Sequence, residues 1–204
     1  CGKIDSKFSL FGRKYLELQQ HGFARDLIWK FQFNKKDNSL NLFLKNNEYT
    51  KQYFPFDFDI KITVILKHNS LNFESEISNN SNKPMPICFG LHPYFNISDF
   101  KNIEFLDYPL VCMDQNNNSL LLTDKCLSNL HEGIDLLMYS SGSLSFKDYV
   151  FNRKITLINP YPFDIGVIWS DPPRQMICME PWTSPRNSLI NGFRKIYIPS
   201  NSSK

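Results

Sequence analysis

The 204-residue chain has no long hydrophobic run; nothing in it approaches the roughly 20 apolar residues of a membrane-spanning helix. It also lacks a dominant charge. The net charge is +3 and no basic run is longer than a pair such as Lys35-Lys36, so a nucleic-acid footprint is not expected. There is no CxxC pair among its five cysteines, Cys1, Cys88, Cys112, Cys126 and Cys178. An odd count without that spacing argues against a disulfide framework and a zinc site. Cys88 and Cys178 lie in apolar runs and read as buried hydrophobes, which makes a reducing, cytoplasmic setting the expectation. Four catalytic signatures are missing as well: GxGxxG, the P-loop, GxSxG and HExxH. That argues against nucleotide cofactors, serine hydrolysis and zinc proteolysis. Proton-transfer chemistry remains open, because it needs only a few well-placed titratable groups.

Amphipathic helical repeats are lacking too. In their place stand short runs with period-2 alternation, rich in Ile, Val and Phe. Leu71, Phe73 and Ile77 alternate with polar neighbours and predict a half-buried strand. Further strands are predicted at Leu40–Leu44, Lys61–Lys67, Lys154–Ile158, Ile165–Trp169, Gln175–Glu180 and Lys195–Ile198. Asn, Ser, Asp, Gly and twelve prolines punctuate them. His68 and Asn116-Asn117-Asn118 read as turns. The pattern is that of an all-β sandwich of antiparallel sheets, and no composition break divides residues 1–204, so one domain is expected.

Two residues stand out chemically. His92 lies in Gly90-Leu91-His92-Pro93-Tyr94-Phe95, where Pro93 biases it toward an extended backbone. Glu180 ends the apolar run Met176-Ile177-Cys178-Met179 and precedes Pro181-Trp182. A carboxylate among apolar and aromatic residues has its pKa raised and suits general acid–base work. Taken singly, His92 could equally be a core or surface histidine, and Glu180 a strand-end glutamate facing solvent.

Together the motifs say more. His21-Gly22-Phe23-Ala24-Arg25 followed by Trp29, then Gly90 to Phe95, then Met179-Glu180-Pro181-Trp182-Thr183, resemble the aldose 1-epimerase (galactose mutarotase-like) family in order and spacing. The lead-in Phe11-Gly12-Arg13-Lys14-Tyr15 resembles the family's approach to its first motif. The resemblance implies a galactose mutarotase-like antiparallel β-sandwich (a supersandwich) acting on a small-molecule sugar, with no cofactor, metal, nucleic acid or membrane partner. It implies Glu180 as general base and His92 as general acid. It assigns sugar binding to His21 and Arg25, and to an aspartate best matched by Asp135, with Asp124 and Asp114 as alternatives. Trp182 either lines the sugar or packs in the core.

The resemblance implies an isomerase that interconverts α and β anomers of a hexose. A hexose-6-phosphate 1-epimerase and a non-catalytic carbohydrate-binding protein are the alternatives. Because the first motif begins at His21, and Cys1-Gly2 itself resembles the tail of an upstream segment, an incomplete N-terminus is expected. His21, His92 and Glu180 are expected to converge on one cleft.

Overall fold

The strands read from alternation are all present in the computed structural model, which describes residues 4, 10–12, 15–140 and 142–204. Cys1-Gly2 and Arg13-Lys14 of the lead-in lie outside the described residues. The single stretch 1–204 divides into two units: residues 88–185 form a central unit, and the segments before and after it form a flanking unit.

In the flanking unit the chain runs through β1 (Lys30–Asn34), β2 (Ser39–Lys45), α1 (Glu48–Lys51), β3 (Phe58–Lys67), β4 (Ser70–Asn79) and β5 (Met85–Ile87). Strands β1 to β4 form an antiparallel meander. His68 and Asn69 make the two-residue turn between β3 and β4, as predicted. One turn of α1 survives because Asn47 caps it: the Asn47 side chain accepts from Thr50 N–H while Thr50 Oγ1 accepts from Asn47 N–H. The apolar face of the meander is buried at one end by Leu44, Ile60, Ile62 and Ile77. At the other end Phe31, Phe33, Leu71 and Phe73 are exposed. Alternation in β4 thus identified the apolar face correctly, but only Ile77 of its three residues is covered. Period 2 tells which side a residue takes and says nothing of what lies over it.

The central unit contains β6 (Tyr94–Asn96), β7 (Ile103–Leu106), β8 (Val111–Asp114), β9 (Ser119–Leu122), α2 (Thr123–Leu127), β10 (Asp135–Tyr139), β11 (Ser143–Asp148), β12 (Arg153–Ile158), β13 (Ile165–Ser170) and β14 (Met176–Trp182). Asn116 to Asn118 form the exposed turn between β8 and β9. Six strands make one antiparallel sheet, in the order β6-β14-β13-β10-β8-β9, and β12-β11-β7 make another. Leu136, Met138, Ile168, Ile177 and Met179 of the larger sheet meet Phe105, Leu144 and Phe146 of the smaller in one core. This is sheet-on-sheet packing, and on the other face of the six-stranded sheet Leu137, Ile165, Val167 and Trp182 form a second buried cluster.

The chain then returns to the flanking unit through α3 (Ser188–Asn191), β15 (Ile196–Ile198, paired with β5) and β16 (Ser202–Ser203, paired with β4). Buried Asn79 secures the return, donating from Nδ2 to the carbonyls of Lys83, Ile198 and Pro199. Helices are single turns, so the protein is all-β. No helix among the described residues is long and apolar enough to cross a membrane.

Phe146 is fully buried between Phe95 and Phe105. Phe146→Ala is expected to lower the unfolding free energy by about 3–5 kcal/mol, through lost burial and the cavity left behind. Urea denaturation followed by tryptophan fluorescence checks this, since Trp169 and Trp182 lie in the same unit. An unchanged midpoint would refute the core assignment.

Candidate active site

Along β14 the side chains alternate between the two faces of the larger sheet. Ile177 and Met179 enter the core. Cys178, Glu180 and Trp182 face the opposite way. Both faces are covered, so Glu180 is only 2% exposed. A carboxylate this deep needs partners. The Trp182 Nε1–H donates to Glu180 Oε2 at 3.0 Å, and His92 Nε2 stands 3.3 Å from Glu180 Oε1.

The segment before β6 carries His92 to this place. The Leu91 N–H donates to the Pro181 carbonyl, the Thr183 N–H to the Phe89 carbonyl, and the Phe89 N–H to Thr183 Oγ1. Between them Gly90 lies flat against Trp182. A Cβ on Gly90 would stand 2.7 Å from the indole Cδ1, so no larger residue fits without displacing Trp182. His92 follows directly, with its side chain 31% exposed and its ring stacked on Tyr94 at 4.9 Å between centroids. Trp169 presents its ring edge-on to both. The Arg174 guanidinium lies over the Trp169 ring.

Burial pushes the Glu180 carboxyl up to about 8 from an ordinary 4.5; the charge of Asp135 adds to the rise, and the Trp182 hydrogen bond opposes it. Asp135 starts β10 directly opposite Trp169 and accepts from Gln115 Nε2 at 2.6 Å. Burial, with the Glu180 charge next, raises the Cys178 thiol to about 12. Among the described residues, His92, Cys178 and Glu180 form the one cluster compact enough to hold a metal ion.

Of the residues singled out in the sequence, Glu180, His92, Asp135 and Trp182 gather in the central unit. His21 and Arg25 belong to the flanking unit. There His21 and Gly22 take left-handed backbone angles in a tight turn, and Phe23 stacks on Phe58. Arg25 is exposed and pairs with Asp26. The alternatives to Asp135 are engaged elsewhere. Asp124 accepts the Tyr108 hydroxyl, and Asp114 caps its own turn through Asn116 and Asn117. Cys178 is fully buried as expected, whereas Cys88 is only half-buried. Sequence reasoning passed over Tyr94, Trp169 and Arg174 as site residues. The i, i+2 spacing of Cys178 and Glu180 was a readable sign that both share one strand face.

The structure is thus a β-sandwich in which a buried strand carboxylate stands beside a histidine carried on the segment before β6. The chain belongs to the aldose 1-epimerase family, whose profile matches residues 3–195. It is 31% identical to the Slr1438 protein of Synechocystis sp. PCC 6803, whose crystal structure superposes with a TM-score of 0.92 over 100% of this chain and 72% of that one. A galactose mutarotase related enzyme from Lactobacillus acidophilus superposes with a TM-score of 0.75 at 22% identity, covering 95% of this chain and 73% of that one. At that identity the likeness is one of fold. A Salmonella typhimurium protein named as a candidate glucose-6-phosphate 1-epimerase is 25% identical over 168 residues, covering 79% of this chain. The match spans 55% of that relative's length.

Glu180 has a folded pKa above its ordinary value, so the fold binds its proton more tightly than the unfolded chain does. That contribution to stability is complete below about pH 4.5 and is lost as pH rises through about 8. Glu180→Gln removes the titration. Its stability relative to wild type is expected to climb between about pH 5 and pH 9, by at most about 5 kcal/mol. Thermal unfolding across that range measures the gap. A gap independent of pH would show that Glu180 ionises normally.

Proposed function

We propose that the protein interconverts the α and β anomers of a free hexose by acid–base opening and reclosure of the ring. The observation that carries this reading is the His92–Glu180 pair: an imidazole and a buried carboxylate 3.3 Å apart. Opening a cyclic hemiacetal removes the proton of the C1 hydroxyl and supplies one to the ring oxygen. Both oxygens are bonded to the same carbon, so base and acid must be neighbours.

Glu180 as carboxylate takes the hydroxyl proton, and His92 as imidazolium gives one to the ring oxygen. The aldehyde so formed rotates about C1–C2. Reclosure on the other face, with the two groups exchanging roles, returns both protons and gives the other anomer. The burial that raises the Glu180 pKa toward neutrality also makes it a stronger base, close to the value that suits proton transfer near pH 7. Asp135, on the same sheet face, is assigned the holding of sugar hydroxyls. Trp182 fixes the carboxylate and is itself only 3% exposed, which favours a supporting role over contact with the sugar. His21 and Arg25 keep the sugar-holding roles that the family resemblance gives them.

A second reading has its own support. The Salmonella relative is named for a 6-phosphorylated hexose, and the His-Gly-Phe-Ala-Arg motif resembles that branch. A purely sugar-binding role has no use for an acid–base pair.

Polarimetry of a freshly dissolved pure anomer tests the reading. Glu180→Gln and His92→Asn are each expected to lower the rate by about 10²- to 10⁴-fold, with the double variant little slower than either. A rate near wild type in Glu180→Gln would refute its role as base. Turnover of a hexose 6-phosphate with none on free aldoses would establish the second reading.

A further inference from the structure

The acid–base pair has a third neighbour that the reaction does not use. His92, Cys178 and Glu180 each offer one donor atom, and the three atoms lie within 4.8 Å of one another. They are of three kinds: an imidazole nitrogen, a thiol sulfur and a carboxylate oxygen. Cys178 and Glu180 stand two residues apart on β14 and project from one face, while the hydrogen bonds between residues 89–91 and 181–183 hang His92 above them.

A tetrahedral ion with bonds of about 2.0–2.3 Å to such atoms would hold them roughly 3.3–3.7 Å apart. His92 Nε2 and Glu180 Oε1 already have that separation, at 3.3 Å. The Cys178 sulfur lies no more than 4.8 Å from either atom, so the set closes with an adjustment of about 1 Å. Cys178 is fully buried and Glu180 nearly so, whereas His92 is one-third exposed, so an ion enters from the histidine side. Three protein ligands leave a fourth position open, as in catalytic zinc sites. The mixed nitrogen, sulfur and oxygen set suits a borderline-soft ion and disfavours magnesium and calcium, which prefer oxygen alone.

We propose that His92, Cys178 and Glu180 form a zinc site, and that zinc bound there inhibits the enzyme. On binding, the Cys178 thiol releases its proton to water and its sulfur bonds the ion, with no change of oxidation state. Glu180 Oε1 and His92 Nε2 give the ion the lone pairs they would otherwise offer to protons. The pair then holds metal or moves protons, never both. The inhibitory half rests on the epimerase reading above; binding does not.

Cobalt(II) added to chelator-stripped protein reads the site directly. One equivalent is expected to produce a thiolate-to-cobalt charge-transfer band in the near ultraviolet, and zinc should abolish it. Cys178→Ser should lack the band, with Cys178→Ala as a second variant. In the presence of chelator both variants are expected to turn over like wild type. Zinc should stop wild type, and the variants should need at least about tenfold more of it, since even changes outside the ligand set commonly cost that much in affinity.

Cobalt binding without a thiolate band, a band that persists in both Cys178 variants, or equal zinc sensitivity of variants and wild type would overturn the proposal. Should neither variant fold, the presence or absence of the band in wild type decides. A thiolate band in a protein that turns over no sugar under chelation would uphold the metal site and refute the epimerase reading instead.

Discussion

Three hydrogen bonds between residues 89–91 and 181–183 decide where His92 stands, and everything chemical in the central unit depends on them. Two are backbone to backbone and insensitive to sequence. The third uses Thr183 Oγ1, and the close approach they create admits only glycine at position 90. The motif residues that look catalytic in the sequence thus divide into two kinds. His92 and Glu180 carry reactive groups. Gly90 and Thr183 set the distance between them, and Trp182 both packs against Gly90 and hydrogen-bonds Glu180. A shift of about 1 Å in such a seat is enough to spoil proton transfer, because reacting atoms must meet at hydrogen-bond range.

The same seat sets a cost. A glutamate within a strand covered on both faces is an uncomfortable residue for folding, since water is excluded and a single indole N–H meets one of its oxygens. An apolar side chain there would pack with less strain on the electrostatics. The unfavourable environment is what lifts the basicity of the carboxylate, so stability and reactivity pull in opposite directions at one atom pair. Asp135 pushes the same way from the next strand but one.

The sequence was legible where polar and apolar residues alternate, and also in β13 and β14, whose apolar runs are buried on both faces. In β12 polar and apolar residues alternate, and its bounds were found within a residue. β10, Asp-Leu-Leu-Met-Tyr, has three consecutive buried residues and no alternation, and it passed unread. The four-residue strands β7, β8 and β9 are too short to show a period. For the site, composition singled out Glu180, and the motif resemblance supplied its pairing with His92. Trp169 was within a predicted strand, yet its place beside His92 follows from the register of β13 on β14 and from the course of residues 89–94, neither of which is local in sequence. Cys178 was read as a hydrophobe for the same reason: its burial was visible, its neighbours were not.

The division of the chain also orders events in time. Residues 88–185 are one uninterrupted stretch, with every partner of both sheets inside it. The flanking unit is split, and β5, β4 and Asn79 wait for partners that lie more than a hundred residues downstream. On a ribosome, which delivers the chain from its N-terminus, the meander β1 to β4 emerges before the central unit and stays unfinished while that unit forms. The central unit is therefore already synthesised before Asn79 can engage the carbonyls of Ile198 and Pro199. Until then the apolar side of the meander is a natural client for a chaperone.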